Sequence, residues 1–274
     1  DIGGWNMSNV SNIRFMLSNT PFNRDISNWN TSSVTDMQDL FGNNTAFNQP
    51  IGSWDTSNVT NMRAVFINAT AFNQDINNWN TSKVTNMHYL FTRATAFNQP
   101  LNNWDVSSVT NMGELFQGAS SFNQDIENWD VSNVTSMAVM FEYNNAFNQP
   151  LESWDTSNVT IMKGMFAFAS AFNQDISSWD VSSVIDMKNM FTSASAFNQD
   201  LGLWNVSSVL DMNQMLENTS LTSDNYDLIL IGWADQSLQA NVVFSAVDTK
   251  YCSGATARNT LVNTYGWTIT DGGY

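Results

Sequence analysis

A single cysteine, Cys252, in 274 residues excludes an intramolecular disulfide, so packing and hydrogen bonding must hold the chain. A lone thiol of this kind is expected to sit as a small buried apolar side chain. Basic residues are scarce: 9 Lys and Arg stand against 25 Asp and Glu, a net charge of −16. That field repels phosphate backbones and anionic membrane surfaces, which excludes nucleic acid as a partner class and leaves a divalent cation allowed. Charged residues make up only 12 % of the chain, about half the usual share, and Asn, Ser and Thr supply the polar surface instead. No run approaches the roughly 18 apolar residues of a membrane-spanning helix. Cys/His clusters, Gly-rich phosphate loops and HExxH segments are also missing, and the recurring serines have no partner base. No enzymatic activity is therefore expected.

What is present is a repeat. Hydrophobic residues are 42 % of the chain, enough for a folded core despite the low complexity. The unit FNRDISNWNTSSVTDMQDLFGNNTA starts at Phe22 and recurs from Phe47, Phe72, Phe97, Phe122, Phe147 and Phe172, then partially from Phe197, at a 25-residue period. An incomplete copy precedes them, giving about nine. Because the first residues, Asp1-Ile2-Gly3-Gly4-Trp5, read as the middle of a repeat, the sequence is expected to be a mature product or an excised fragment without its targeting segment.

Within each unit, a short segment such as Asp25–Trp29 reads as a brief strand and bend. The segment from Val34 to Phe41 spaces Val34, Met37, Leu40 and Phe41 like one face of a short helix. The Ser two residues ahead of it (Ser32, Ser57, Ser82 and so on) reads as the N-cap, its hydroxyl accepting from free N–H groups. A unit this small cannot bury its apolar face alone, so the Phe, Ile/Leu, Trp, Val, Met and second Phe positions are expected to stack as internal columns. Asn23, Asn48, Asn73, Asn98, Asn123, Asn148, Asn173 and Asn198 read as a structural hydrogen-bonding ladder. Alternation of Asp25, Asp75, Asp125 and Asp175 with Pro50, Pro100 and Pro150 keeps like charges off adjacent copies.

The beat ends after Leu221. Residues 223–236 read as a capped amphipathic helix, 241–247 as a strand, 255–265 as a helix closed by Gly266, and 267–270 as a last short strand. The chain is thus read as a repeat solenoid over 1–220 with an α+β C-terminal cap over 221–274.

The pattern F-N-Q-D-I-x-x-W-D-x-S-x-V-x-x-M-x-x-M-F, seen best at 172–191, resembles the BspA-like, DUF285-type leucine-rich-repeat surface proteins of bacteria. The terminal stretch with NYDLILIGWADQ and GATARNTLVNTYGWTITDGG is similar to the cap found on such arrays in Bacteroidetes-type secreted proteins. There a sorting domain for type IX secretion commonly follows. The resemblance implies an α/β, LRR-like, right-handed solenoid of strand–turn–short-helix coils, located extracellularly or at the cell surface. It also implies adhesion, with a protein or glycan ligand, or secretion machinery, as partner. The alternative is a ligand-free structural stalk or a secreted passenger.

Candidate binding residues are those where copies differ: His88, Tyr89, Glu142, Tyr143 and Phe168, rings and a carboxyl among neutral polar groups. His88 sits where other copies carry Ala64, Gly113, Ala138 or Lys188, and is expected to be an exposed surface residue. The Asx after each repeat Trp (Asn30, Asp55, Asn80, Asp105, Asp130, Asp155, Asp180, Asn205) forms a column of oxygens. Calcium is one reading of it, and the start of a turn ahead of the Ser is the favoured one. No cofactor is expected. The threonine column from Thr35 to Thr160 raises ice binding, but it breaks at Ile185 and Leu210 and has no T-x-T partner.

Overall fold

The computed structural model describes residues 2–274; Asp1, the first residue of the expected array, lies outside them. From Asn12 to Asp211, single parallel bridges join Asn12, Asp36, Asn61, Asn86, Asn111, Ser136, Ile161, Asp186 and Asp211 in series, so each repeat lies directly against the next. The internal columns form as the periodicity predicts. Ile26, Trp29, Val34, Met37, Leu40, Phe41 and their counterparts in the later repeats are almost wholly buried. Phe41 stacks on Phe47 at 3.9 Å and on Phe66 of the next repeat at 5.6 Å, and Trp54 stacks on Trp79 at 6.3 Å. Burying these rings at about 25 cal/mol per Å² is the main force holding the stack. Trp5 differs from every later repeat Trp in being about half exposed.

Polar ladders fix the register. Each repeat Trp from Trp29 onward donates its indole N–H to the carbonyl of an Ile or Leu in the preceding repeat, as Trp104 does to Ile76 at 3.1 Å and Trp129 to Leu101 at 3.1 Å. The Asn ladder is also as expected. The side-chain oxygen of Asn73 accepts from the backbone N–H of Asn98 at 2.9 Å, and that of Asn98 from Asn123 at 3.0 Å. A half-buried backbone N–H in one repeat is thereby satisfied by its neighbour.

Two local expectations fail. The segment Asp25–Trp29 forms no strand; Asp25 instead accepts from the N–H of Ser27, a bend closed by a carboxylate. The segment from Val34 to Phe41 forms no helix. Met37, Asp39, Phe41 and Asn43 send their N–H groups to Asn61, Arg63, Val65 and Ile67 of the next repeat, leaving Leu40, Gly42 and Asn44 to close i→i−3 turns. A helix needs all of these donors within its own segment, and the stack takes every second one.

The same segment carries two left-handed residues in every repeat. One column runs Phe15, Asp39, Ala64, Tyr89, Glu114, Val139, Gly164, Asn189, Gln214, and the other Asn19, Asn43, Asn68, Arg93, Gly118, Tyr143, Phe168, Ser193, Asn218. All have φ between 54° and 64°. For a side-chain-bearing residue this costs about 1–2 kcal/mol. Up to Ser193, each left-handed residue donates its N–H to a carbonyl of the next repeat, worth about 1 kcal/mol, so the stack offsets the strain it imposes.

The remaining chain packs on the last repeat through α1 (Ser223–Ala234), β1 (Val243–Ala246), α2 (Ala255–Tyr265) and β2 (Thr268–Asp271), with β1 and β2 parallel. The positions agree with the sequence reading within a few residues. Gly266 closes α2 at φ 69°, its N–H reaching Leu261 and Val262, the left-handed C-terminal role that suits glycine. This segment continues the ladders: Trp233 donates to the carbonyl of Leu201 at 3.0 Å, Thr222 to the side chain of Asn198 at 2.9 Å, and Met212 bridges to Phe244. Gly232 lies against Gly202 so closely that a Cβ on it would fall 2.1 Å from the Gly202 carbonyl oxygen. Asp227, buried on α1, accepts from the N–H groups of Cys252, Ser253 and Gly254 at 2.7–2.9 Å and from the Ser253 hydroxyl. It places a carboxylate at the start of α2, where the helix dipole favours an anion. Cys252 itself is exposed, contrary to the buried position expected, because its backbone serves this turn and its side chain faces outward.

Candidate functional site

The turn segment with its two left-handed columns is where the copies differ most, and it carries all five candidate residues. Every second N–H there is tied to the next repeat, so variable side chains stand on a fixed backbone. This is the arrangement that lets a site vary while its scaffold holds.

The structure places the candidates in two clusters on this face, separated by the repeat that carries Glu114 and Gln117. In the first, the rings of His88 and Tyr89 stack at 3.8 Å, with the Arg63 guanidinium 5.2 Å from the Tyr89 ring. His88 lies 3.9 Å from Glu114. His88 is half-buried rather than exposed as expected, because it packs between Tyr89 and the gap left by Gly113, whose missing Cβ would stand 3.4 Å from the imidazole. That burial lowers its pKa, Glu114 opposing and Arg63 assisting. Burial likewise raises the pKa of Tyr89. These groups satisfy one another.

The second cluster is open. Tyr143 and Phe168, in the same column of adjacent repeats, are 48 % and 37 % exposed and stack at 4.5 Å and 10°. Every recurring Phe of the core from Phe41 onward is buried, so this pair is an outward platform. Glu142, half-buried, accepts from the Gln117 amide at 2.5 Å, and burial holds its pKa above the usual value. Beside it lies a groove of about 310 Å³ lined by Val139, Glu142, Lys163, Gly164, Lys188 and Asn189. Periodicity hid the lysines: each occupies the variable place that His88 fills in its own repeat, and one copy at a time neither stands out. A larger hollow, about 740 Å³, opens at Gly3, Gly4, Arg24, Asp25 and Asn28 and contains no candidate.

The oxygen column after the Trp positions is used internally. Asp105 and Asp155 accept both the N–H and the hydroxyl of Ser107 and Ser157, at 2.6–3.1 Å. Those serine hydroxyls hold both carboxyls below the usual pKa, the serine N–H groups adding to the effect. The serine is therefore a donor to a turn, correcting its assignment as an accepting helix cap. Among the described residues no three His, Cys, Asp or Glu side chains gather in a metal-holding group. No helix is long and apolar enough to cross a membrane. The threonine column is committed to the stack, Thr160 donating to the carbonyl of Thr135 at 3.1 Å.

These features define a class: a tandem-repeat protein whose repeated positions build the scaffold and whose unrepeated positions form its variable face. The chain belongs to the family described as "Mycoplasma protein of unknown function, DUF285", which matches residues 1–96, 51–149 and 123–229 in overlapping succession. No curated protein matches the chain.

Proposed function

We propose that the chain is an extracellular or cell-surface binding module of the BspA-like leucine-rich-repeat kind. In this reading it is a right-handed solenoid over residues 1–220 closed by a cap over 221–274. It recognises a protein or glycan partner by shape and polar contact, without catalysis. The observation that carries the reading is the exposed Tyr143–Phe168 platform, standing on a backbone fixed by inter-repeat hydrogen bonds. A column that elsewhere holds Asn, Ser, Gly or, once, Arg93 holds two large stacked rings there. Exposed rings on rigid supports give contact area at little entropic cost.

An array of glycans and matrix proteins, probed with and without calcium, tests this. Capture of a ligand that is lost on Tyr143→Asn with Phe168→Ser supports it. Both replacements occur naturally in the same column at φ 54–58° (Asn68, Ser193), so the variant keeps its backbone. Absence of any capture in either condition favours the ligand-free stalk or secreted passenger instead.

A further inference from the structure

We propose that the groove lined by Val139, Glu142, Lys163, Gly164, Lys188 and Asn189, in the repeats that carry Tyr143 and Phe168, takes an acidic saccharide, a sugar ring bearing an anionic group; this rests on the binding reading above and names its ligand class. The first ground is charge. Lys163 and Lys188 occupy the same place in adjacent repeats, the N–H of the neighbouring Gly164 reaching the Lys188 carbonyl at 2.8 Å. Both are exposed, and neither ammonium meets a carboxylate among the described residues, where the ion pairs are Arg14–Asp36, His88–Glu114 and Arg258–Asp271. Glu142 lines the same groove with its carboxylate engaged by Gln117, so two neighbouring cations with no carboxylate in ion-pair contact repel each other, and an anion between them relieves that repulsion. The net charge of −16 opposes an anionic ligand at long range, but at physiological salt that field is screened beyond about 8 Å. Within that distance the two lysines outnumber the one carboxylate of the groove lining, Glu142.

The second ground is shape. Gly164 removes a side chain from the groove floor, and its absent Cβ would have met only Val139, at 3.8 Å. Val139 forms a wall of the groove, its φ of 60° set by the stacking that the whole column shares. The groove volume, about 310 Å³, is at the lower end for small-ligand sites. The third ground is the lining. Glu142, next in sequence to Tyr143, has one carboxylate oxygen engaged by Gln117 and the other left to accept from a ligand hydroxyl. The flat Tyr143–Phe168 surface suits the apolar face of a sugar ring. An acidic peptide fits less well, because the N–H groups of Tyr143, Gly164 and Phe168 are all given to the next repeat, and no strand edge is left for a peptide backbone to pair with.

Calorimetric titration of the full chain tests the assignment. The ligands are a uronic-acid oligosaccharide, a sialylated one, the neutral counterparts with carboxylates reduced to alcohols, and an oligoglutamate peptide. At least one acidic saccharide is expected to bind tenfold or more tighter than its neutral counterpart. K163Q with K188Q should abolish that preference. Gly164→Asn should weaken binding by filling the groove while the fold persists, since Asn189 adopts φ 57° at the same place; circular dichroism checks the fold. Equal binding of neutral saccharides, an unchanged lysine double variant, or tighter binding of the peptide overturns the ligand class. In those outcomes the binding reading stands if Tyr143→Asn with Phe168→Ser still abolishes capture. If none of these ligands binds, the ligand class falls, and the binding reading falls with it only if the glycan and matrix-protein array also captures nothing.

Discussion

Replacing Gly164 by alanine separates the observed backbone from the helix that the apolar spacing suggests, because the two predict opposite signs. Gly164 has φ 60°, and a Cβ there would touch only Val139 Cγ2 at 3.8 Å, an ordinary contact. Sterics with neighbours therefore contribute almost nothing, and the backbone decides. A left-handed alanine costs about 1–2 kcal/mol. Its stiffer unfolded chain returns about 0.4–1 kcal/mol. The expected net effect is a loss of about 0.5–1 kcal/mol. Were the segment helical, the same substitution would stabilise it by about 0.8–1 kcal/mol. Urea unfolding followed by tryptophan fluorescence reads the shift as a change in midpoint, with Gly164→Asn as a control that should lie near the parent, since asparagine tolerates this region. A midpoint raised by Gly164→Ala would refute the left-handed turn.

Trp104→Phe removes the indole N–H that the Ile76 carbonyl accepts and shrinks a fully packed site beside Trp79. A stability loss of about 2–3 kcal/mol is expected by thermal or urea unfolding. Asp227→Asn keeps the size but turns an acceptor of four hydrogen bonds into a group that presents its own N–H to donors; a loss of about 2–3 kcal/mol is expected. Burial alone would raise the pKa of Asp227, but the hydrogen bonds from Cys252, Ser253 and Gly254 outweigh it and lower the value. With the folded value below the unfolded one, this stability is fully present above the unfolded carboxyl pKa near ~3.9 and disappears as pH falls through the folded pKa. The parent and Asp227→Asn curves should therefore converge in acid, which stability measured from pH 6 to pH 2 will show.

The parts legible in the sequence were those whose cause is local or strictly periodic. The Trp and Phe columns follow from recurrence alone, and α2 with Gly266 follows from a helical pattern ended by a left-handed glycine. The turn segment misled because Val34, Met37, Leu40 and Phe41 suit a helix face and a run of three-residue turns equally well. What distinguishes the two is a set of N–H groups directed 24 residues along the chain. A trace was present: Asn19, Asn43, Asn68, Gly118 and Asn218 share one column, and Asn and Gly are the residues that accept positive φ. The Asx–x–Ser spacing was similarly ambiguous between a helix cap and a turn. Of the candidate site, the differing rings were visible, and the structure divides them into a self-satisfied His88–Tyr89 pair and an open Tyr143–Phe168 pair. The lysine groove depends on which variable residues become neighbours, and the 25-residue stacking decides that.

The proposed function gives the repeated positions to the scaffold and the variable turn face to recognition. A paired surface exchange tests it most directly. In one variant Tyr143 and Phe168 become Asn and Ser; in the other, exposed Asn28, Asn78 and Asn128 on a different face become Ser, the residue found in that column at Ser53 and Ser153. Ligand capture by both, at matched circular dichroism spectra, is then compared with the parent. Capture is expected to be lost only in the first variant; equal capture by the first variant and the parent, or loss in the second alone, would contradict that division.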